Sequence, residues 1–310
     1  MSCYPSPCKE LIGQWFAEAG ASAWGVARAT AVEPWAVDVY DRWLEAGAHG
    51  GMEYMERYRD VRNDPRLLLD GARSLMVAAF NYQPPRRQDA GAPVIADYAL
   101  GDDYHTVLRE RLSAVAGRIT EAYGGMVRVC VDTAPLRERY WAVRAGVGFI
   151  GVNNQLIIPG RGSRFFLGEV LWTGELEPDQ PCGLTCDGCM RCVRVCPGRA
   201  IDGTGRLCAA RCLSYLTIEH RGDLPQDTAL GNRIYGCDAC QDVCPHNAEA
   251  VPGRVGEFAP REALLSLTRE QVGRMTQPEF SAIFRNSAVK RTKLAGLQRN
   301  YWLRLKSLLA

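Results

Sequence analysis

Apolar and polar positions along the first 175 residues follow two rhythms, and each predicts a different kind of element. CKELIGQWFAEAGA (8–21) and TVLRERLSAVAGRITEAYGG (106–125) repeat their apolar residues at helical spacing and close on glycine, predicting helices. SLMVAAFNY (74–82) and MVRVCVD (126–132) are short apolar runs bounded by charges or turns, predicting buried strands. SRFFLGEVLWTGEL (163–176) reads as one more strand, or as a strand pair around Gly168. From EPDQPCG to CPHNAEAVPG both rhythms vanish and cysteine, glycine and proline take over. After about Ser266 the helical spacing returns, as in AIFRNSAVKRTKLAGLQRNYWLRLKSLL. An α+β fold is expected, in three units. These are an N-terminal α/β domain over 1–175, a cysteine-rich domain over 176–250, and a helical segment over 251–310.

Composition adds constraints. The 310 residues are 47% hydrophobic and 23% charged, as in an ordinary globular protein. No run of about 18 apolar residues is present, so no membrane span is expected. The N-terminal MSCYPSPCKELIGQW has no basic start followed by an apolar core, so no signal peptide is expected and the cytoplasm is the expected compartment. The net charge of +2 hides an asymmetry. Arg285, Lys290, Arg291, Lys293, Arg299, Arg304 and Lys306 place seven positive charges after residue 280 with no acid among them, so the rest of the chain sums to −5 (2 − 7). Such a tail is either a polyanion contact or a solvated helix face.

Ten of the 13 cysteines fall between Cys182 and Cys244. In a cytosolic chain of this size that clustering indicates metal or cluster ligation rather than disulfides. Cys186, Cys189, Cys192 and Cys196 followed by Pro197 form the bacterial ferredoxin run for a [4Fe–4S] cluster, whose fourth cysteine serves a second cluster. Cys237, Cys240 and Cys244 followed by Pro245 form a second run that is one cysteine short. Crossing the fourth ligands gives Cys186, Cys189, Cys192 and Cys244 for the first cluster. The second takes Cys196, Cys237, Cys240 and either Cys208 or Cys212. A pair of zinc knuckles would need four ligands but not the repeated spacing that ends in Cys-Pro. Cys3, Cys8 and Cys130 are expected to be unligated, with Cys130 a small buried hydrophobe.

GVGFIG (146–151) matches GxGxxG, but the dinucleotide fingerprint needs a strand before it and a helix after it. Here a helical stretch precedes and VNNQLIIPG follows in strand-like fashion, so a glycine-rich turn is expected. The segment from Asp103 to Leu108, DYHTVL, is not the DxHxxG signature by which corrinoid proteins ligate cobalt through histidine. Spacing alone therefore stops at a redox domain fed by two clusters.

VDTAPLRERYWAVRAGVGFIGVNNQLIIPGRGSRFFLGEV (131–170) resembles the heart of the epoxyqueuosine reductases. The resemblance runs in order through DPRLLLDGARSLMVAAFNY, ADYALGDDYH, both cysteine runs, CLSYLTIEHRG, YGCDACQDVCP and FRNSAVKRTKLAGLQRN, nearly the whole chain. It implies reduction of the epoxide of epoxyqueuosine to the alkene of queuosine at the tRNA wobble position. It also implies a cobalamin in the N-terminal domain without a histidine ligand, reached by electrons through a ferredoxin-like double [4Fe–4S] domain. By this resemblance Asp132 is the proton donor, and Arg139, Tyr104 and His105 line the same pocket. Arg57 and Ser214 are corrinoid contacts, as is Asp132, and Cys212 rather than Cys208 is the cluster ligand. The expected partners are tRNA and an external low-potential electron donor, and the expected state is a monomer outside any membrane.

Chemistry supports these roles. Converting an epoxide to an alkene consumes two electrons and two protons and releases water, so an acid must protonate the departing oxygen. An ordinary aspartate is ionised at pH 7, so Asp132 is expected to need a raised pKa from burial or an apolar cofactor face. Read alone, Asp132 before Thr-Ala-Pro would cap the next helix. Likewise Arg139 would pair with an acid such as Glu138, and His105 and Tyr104 would be core side chains. Val152 replaces a lysine common in relatives and His246 a tryptophan. The chain ends ten residues after QRN, where many relatives continue into a helical-repeat domain. The core and the basic tail are therefore expected to hold the RNA, with salt-sensitive binding and the base unstacked. Two alternatives remain: a corrinoid reductase of another small substrate, such as an organohalide, or a non-enzymatic electron carrier.

Overall fold

A computed structural model describes residues 4–309 apart from 90, 226 and 227, and excludes the side chains of 304–309. Cys3 lies outside the described residues, as do the side chains of Arg304 and Lys306. The N-terminal part runs through α1 (Lys9–Glu18), β1 (Ala23–Arg28), α2 (Pro34–Glu45) and the short α3 (Arg59–Asn63). It continues with β2 (Ser74–Asn81), β3 (Val94–Ile95), the long α4 (Tyr104–Tyr123), β4 (Val127–Cys130) and α5 (Glu138–Arg144). A short hairpin of β5 (Phe149–Ile150) and β6 (Leu156–Ile157) leads to β7 (Phe165–Trp172).

β1, β2, β7 and β4 form one sheet in that order, antiparallel throughout. Helices and strands thus mix as an α+β fold. Side chains alternate faces along a strand, so β2 and β7 feed two cores. Met76, Ala78, Phe80, Phe166 and Val170 pack under α1 and α4. Leu75, Val77, Ala79, Leu167 and Leu171 pack toward α5, with Trp141 and Ala142. Burial on both faces explains why SLMVAAFN is apolar at successive positions rather than alternating. SRFFLGEVLWTGEL contributes a single strand, with Gly168 paired to Ala78 in its middle. A Cβ at Gly168 would stand 2.5 Å from Leu112 Cδ1, so glycine there lets α4 sit close on the sheet. The GVGFIG segment follows a helix and enters the β5–β6 hairpin, a turn as expected.

The cysteine-rich part contains α6 (Arg191–Val195), α7 (Leu213–Ile218), β8 (Arg233–Tyr235) and α8 (Ala239–Asp242). Beyond it lie α9 (Glu262–Leu265), α10 (Arg269–Arg274), α11 (Gln277–Ile283) and α12 (Lys293–Leu309). The three expected units interlock. β3 pairs in parallel with β8, and Ile95 and Leu100 share a core with Ile234, Phe284 and Leu297. The buried Arg164 guanidinium ties β7 to the cysteine-rich part, reaching Asp97 at 3.0 Å and Asp242 at 2.6 Å. Among the described residues no helix is long and apolar enough to cross a membrane.

The basic tail is partly consumed by the fold. Arg299 donates to the carbonyls of Leu216, His220 and Gly222, satisfying the end of α7 and the loop after it. Arg291 makes a two-pronged pair with Glu219 at 2.9 and 2.7 Å. Arg285, Lys290 and Lys293 remain exposed. The expectation that the whole tail serves RNA is therefore narrowed, because Arg299 and Arg291 already have structural partners.

Candidate functional site

β4 ends at Cys130, and the chain turns through Asp132 at φ +43°, a left-handed conformation uncommon for a residue with a side chain. Such strain costs on the order of 1–3 kcal/mol and gathers at functional sites. The turn is held by the Asp132 amide, which donates to Glu138 Oε1 at 2.7 Å. α5 starts only at Glu138, with Arg137 at its N-cap, so Asp132 caps nothing. Its carboxylate instead meets His105, with Nε2 and Oδ2 2.8 Å apart. His105 Nδ1 lies 2.6 Å from Asp103 Oδ1, and Asp103 is the N-cap of α4, accepting the His105 amide at 3.1 Å. A helix start thus fixes the imidazole between two carboxylates.

Electrostatics follow from that geometry. Burial opposes a charged His105, but the hydrogen bonds and charges of Asp103 and Asp132 outweigh it and raise its pKa to about 9. Burial pushes Asp132 up, yet the His105 hydrogen bond and charge, the Tyr104 hydroxyl and Arg139 together hold it below the ordinary carboxylate value. The expected rise of the Asp132 pKa is thereby corrected: at neutral pH the proton sits on the imidazole. Half of the Asp132 side chain remains accessible to substrate.

Tyr104 stacks on His105, with ring centroids 4.0 Å apart, and on Phe166 at 4.3 Å. Burial and the Asp132 charge push its phenol well up, so it stays protonated. Arg139 Nη1 donates to the Asn154 carbonyl at 2.7 Å, and its charge favours both the Asp132 carboxylate and the Cys212 thiolate. The residue before Asn154, Asn153, donates to the Cys240 carbonyl at 3.4 Å, so this segment ties α5 to the cysteines. Arg57 is exposed and paired with Glu53. Ser214 sits half-buried in the first turn of α7, two residues after Cys212, and its carbonyl accepts from the Thr217 hydroxyl at 3.3 Å.

Three contributors escape sequence reading. Burial and the Asp132 charge raise Glu138 to about 7. Tyr54 is pushed to about 12 by burial, Glu219 and Asp132. Glu169 is fully buried on β7, with neither carboxylate oxygen partnered, and burial with Glu138 and Asp132 holds it neutral. Only Asp103 carried a usable sign, an aspartate directly before a helix.

The cysteines separate into two groups. Cys186, Cys189, Cys192 and Cys244 line one cavity, together with Val152 and His246. Both positions that depart from the family pattern thus face this group. Cys240 is influenced by Cys237, Cys212 and Cys196, and burial pushes the Cys212, Cys237 and Cys240 thiols up. Cys208 is not among the groups acting most strongly on Cys240. Four neighbouring thiols ionise together only beside compensating cations, which iron supplies. Among the described residues no three His, Cys, Asp or Glu side chains converge on one point as a single metal ion requires. The first group instead rings its cavity, an arrangement that fits a cube with a thiolate at each corner. Cys8 is exposed and Cys130 buried in the sheet, with burial raising the Cys130 thiol to about 12.

Known proteins bear on this arrangement. Residues 62–133 match the family model described as epoxyqueuosine reductase QueG, DUF1730. Residues 185–247 match a 4Fe-4S double cluster binding domain, so this part of the chain is an iron–sulfur cluster domain. An epoxyqueuosine reductase of Leadbetterella byssophila is 40% identical over 292 residues, covering 93% of this chain and 95% of its own. One of Gloeobacter violaceus is 39% identical, covering 89% of each. A crystal structure of epoxyqueuosine reductase with an epoxyqueuosine-modified tRNA-Tyr stem loop superposes with TM-score 0.86 at 30% identity, covering 96% of this chain and 80% of that one. A Bacillus subtilis epoxyqueuosine reductase, with its catalytic loop swung out of the active site, has TM-score 0.86 at 29% identity and the same coverage. Identity and coverage of this extent show that the chain belongs to the epoxyqueuosine reductase family.

Proposed function

We infer that this oxidoreductase converts the epoxide of epoxyqueuosine in tRNA to the alkene of queuosine, with Asp132 and His105 as its acid pair and cobalamin as its cofactor. The observation that carries the reading is the His105–Asp132 ion pair, with half of the Asp132 side chain exposed, beside the segment in which Arg139 donates to Asn154 and Asn153 donates to the Cys240 carbonyl. The residues fit a corrinoid bound without a histidine ligand, since the protein's four histidines have neighbours of their own. His49 pairs with Glu56, both ring nitrogens of His105 face carboxylates, His220 bonds the Asp223 carbonyl, and His246 lies near Asp187. When bound, cobalamin would supply a strongly reducing cobalt, charged one electron at a time by clusters on Cys186, Cys189, Cys192 and Cys244 and on Cys196, Cys212, Cys237 and Cys240.

The chain's own groups manage protons and position. His105 Nε2 holds a proton that Asp132 relays to the oxygen leaving the opened ring. Asp132 accepts that proton only as it passes it on, so its low pKa is no obstacle while His105 recharges it. Glu138 at about 7 and the neutral Glu169 lie beneath the same loop, a store for the second proton the reaction consumes. Tyr104 clamps the imidazole by stacking. Arg57 and Ser214 remain proposed corrinoid contacts. Among the described residues Arg285, Lys290 and Lys293 are exposed tail cations placed to meet RNA phosphates, each neutralised phosphate adding about −0.7 to −0.9 to the slope of log K against log salt.

The test is anaerobic incubation of cluster-loaded protein with cobalamin, a low-potential reductant and epoxyqueuosine-containing tRNA, with nucleosides read by mass spectrometry. Queuosine is the expected product. Bound corrinoid without queuosine would favour a different small substrate, and clusters without corrinoid an electron carrier.

The acid pair also sets a pH range. The folded His105 pKa of about 9 lies above its ordinary 6.5, so its contribution to stability is complete below about 6.5 and lost as pH rises through 9. Asp132 and Asp103 are lowered, so their contributions fail only as pH falls through the acid range. The turnover rate is expected to hold from neutrality to about pH 8.5 and fall beyond 9. His105→Gln is expected to lose that alkaline limb along with most activity, whereas a limb that survives in the variant belongs to another group.

A further inference from the structure

The first cysteine group has a flank that proton transfer leaves unused. Cys189 is exposed there, and so are Leu184 (52%), Met190 (36%) and Val195 (38%), three large apolar side chains beside cluster cysteines. Of these, Val195 lines the groove described below, while Met190 lines the cavity of the first cysteine group. α6 adds Arg191 and Arg194, both exposed. Among the described residues neither has an acidic partner, and Arg194 donates to the Cys189 carbonyl at 3.0 Å. Arg191, Arg194 and Val195 form one wall of an open groove of about 520 Å³, with Cys244 and Pro245 on the other. Asp242 also borders the groove, but Arg164 and Arg87 hold it at 2.6 and 2.8 Å. Asp187, opposite His246, and Glu249, next to the groove residue Ala248, are exposed acids nearby.

We propose that this groove docks a small acidic electron-carrier protein, which passes single electrons into the cluster on Cys186, Cys189, Cys192 and Cys244. The proposal rests on the cluster assignment above. The second group lies toward the acid site, since Tyr98 packs on Tyr104 and bonds Tyr235 two residues before Cys237, whereas Cys189 of the first group is exposed, so the first group is the outer end of the relay. A groove lined by Val195 and Val243, with two arginines that have no acidic partner among the described residues, suits a brief redox encounter, in which small area permits release and opposite charge speeds arrival. Each carrier loses one electron as the cluster gains one, and two deliveries supply the pair that epoxide reduction consumes. Both protons come from the acid site and none from the carrier.

The test mixes full-length, cluster-loaded protein with fully reduced flavodoxin, or separately with reduced methyl viologen, and follows bleaching of the cluster absorbance. The wild-type flavodoxin rate is expected to fall at least about tenfold between low salt and 0.5 M salt. Arg191→Glu/Arg194→Glu is expected to slow flavodoxin at least about tenfold at low salt, with the two proteins converging at high salt. The viologen rate is expected not to fall, since that reductant is a cation, and tRNA affinity is expected to stay within about twofold. A flavodoxin rate indifferent to both salt and charge reversal overturns the docking surface. Equal loss of tRNA affinity in the variant overturns it in favour of an RNA contact. The wild-type salt series decides by itself should the double variant lose its clusters. A wild-type protein without cluster absorbance would overturn the cluster assignment instead.

Discussion

Asparagine at position 132 is expected to slow epoxide reduction about 100- to 10,000-fold, the range a positioned acid contributes, while cluster content and tRNA affinity stay unchanged. Asparagine keeps the size of the side chain and an oxygen that can accept from His105 Nε2, so the turn at φ +43° and the stacked Tyr104 are retained. It removes the negative charge that stabilises the imidazolium and the oxygen that relays the proton. A second effect follows in the same variant: the His105 pKa falls from about 9, with Asp103 alone left to raise it. Single-turnover conversion of epoxyqueuosine tRNA, read by mass spectrometry, measures the first effect. The His105 ring resonances across a pH series measure the second. Undiminished conversion would remove Asp132 from the proton path and leave Glu138 as the nearest alternative. A normal His105 pKa in the wild-type protein would instead show that the pair does not hold the proton.

The sequence showed the parts of this molecule that repeat at a fixed period. Short apolar runs marked β2, β4 and β7, and helical spacing marked α1, α4 and the C-terminal helices, because those elements bury much of their apolar surface. β1 and α2 went unread. AWGVAR is six residues long with only part of it buried, and α2 buries little besides Ala36. Strand order was out of reach as well, since no local pattern records that β7 lies between β2 and β4. Within the site, the cysteine runs were legible because a cube must be gripped by tight loops. The proton arrangement was not. The rise of His105 comes from Asp103 and Asp132, and the fall of Asp132 from His105, Tyr104 and Arg139, groups converging from α4, the β4 turn and α5. An expectation built on Asp132 alone therefore assigned the proton to the wrong partner. Glu169 shows the same limit, since within RFFLGEVLW nothing announces that its one acid points into the core.

The cysteine beside α7 offers the sharpest remaining contrast. Cys212→Ser is expected to remove the cluster nearer the acid site and abolish turnover, whereas Cys208→Ser should keep both clusters and most activity. Counting four irons per cluster, iron should fall from about eight to about four per chain in the first variant and stay near eight in the second. The contrast rests on position. Cys212 stands at the start of α7 with its thiol among Cys196, Cys237 and Cys240, and burial keeps water from substituting for a lost ligand. Cys208 lies one short turn earlier, its amide bonded to the Ala200 carbonyl at 2.9 Å, so its place in the fold is set by backbone rather than by iron. Serine is a poor substitute because its hydroxyl is far harder to ionise than a thiol, and the cluster requires the anion. Iron and sulfide analysis with low-temperature electron paramagnetic resonance of the reduced proteins separates the outcomes. Loss of iron in the Cys208 variant with retention in the Cys212 variant would reassign the fourth ligand. The relay toward Arg139 and Asp132 would then have to begin on the other side of α7.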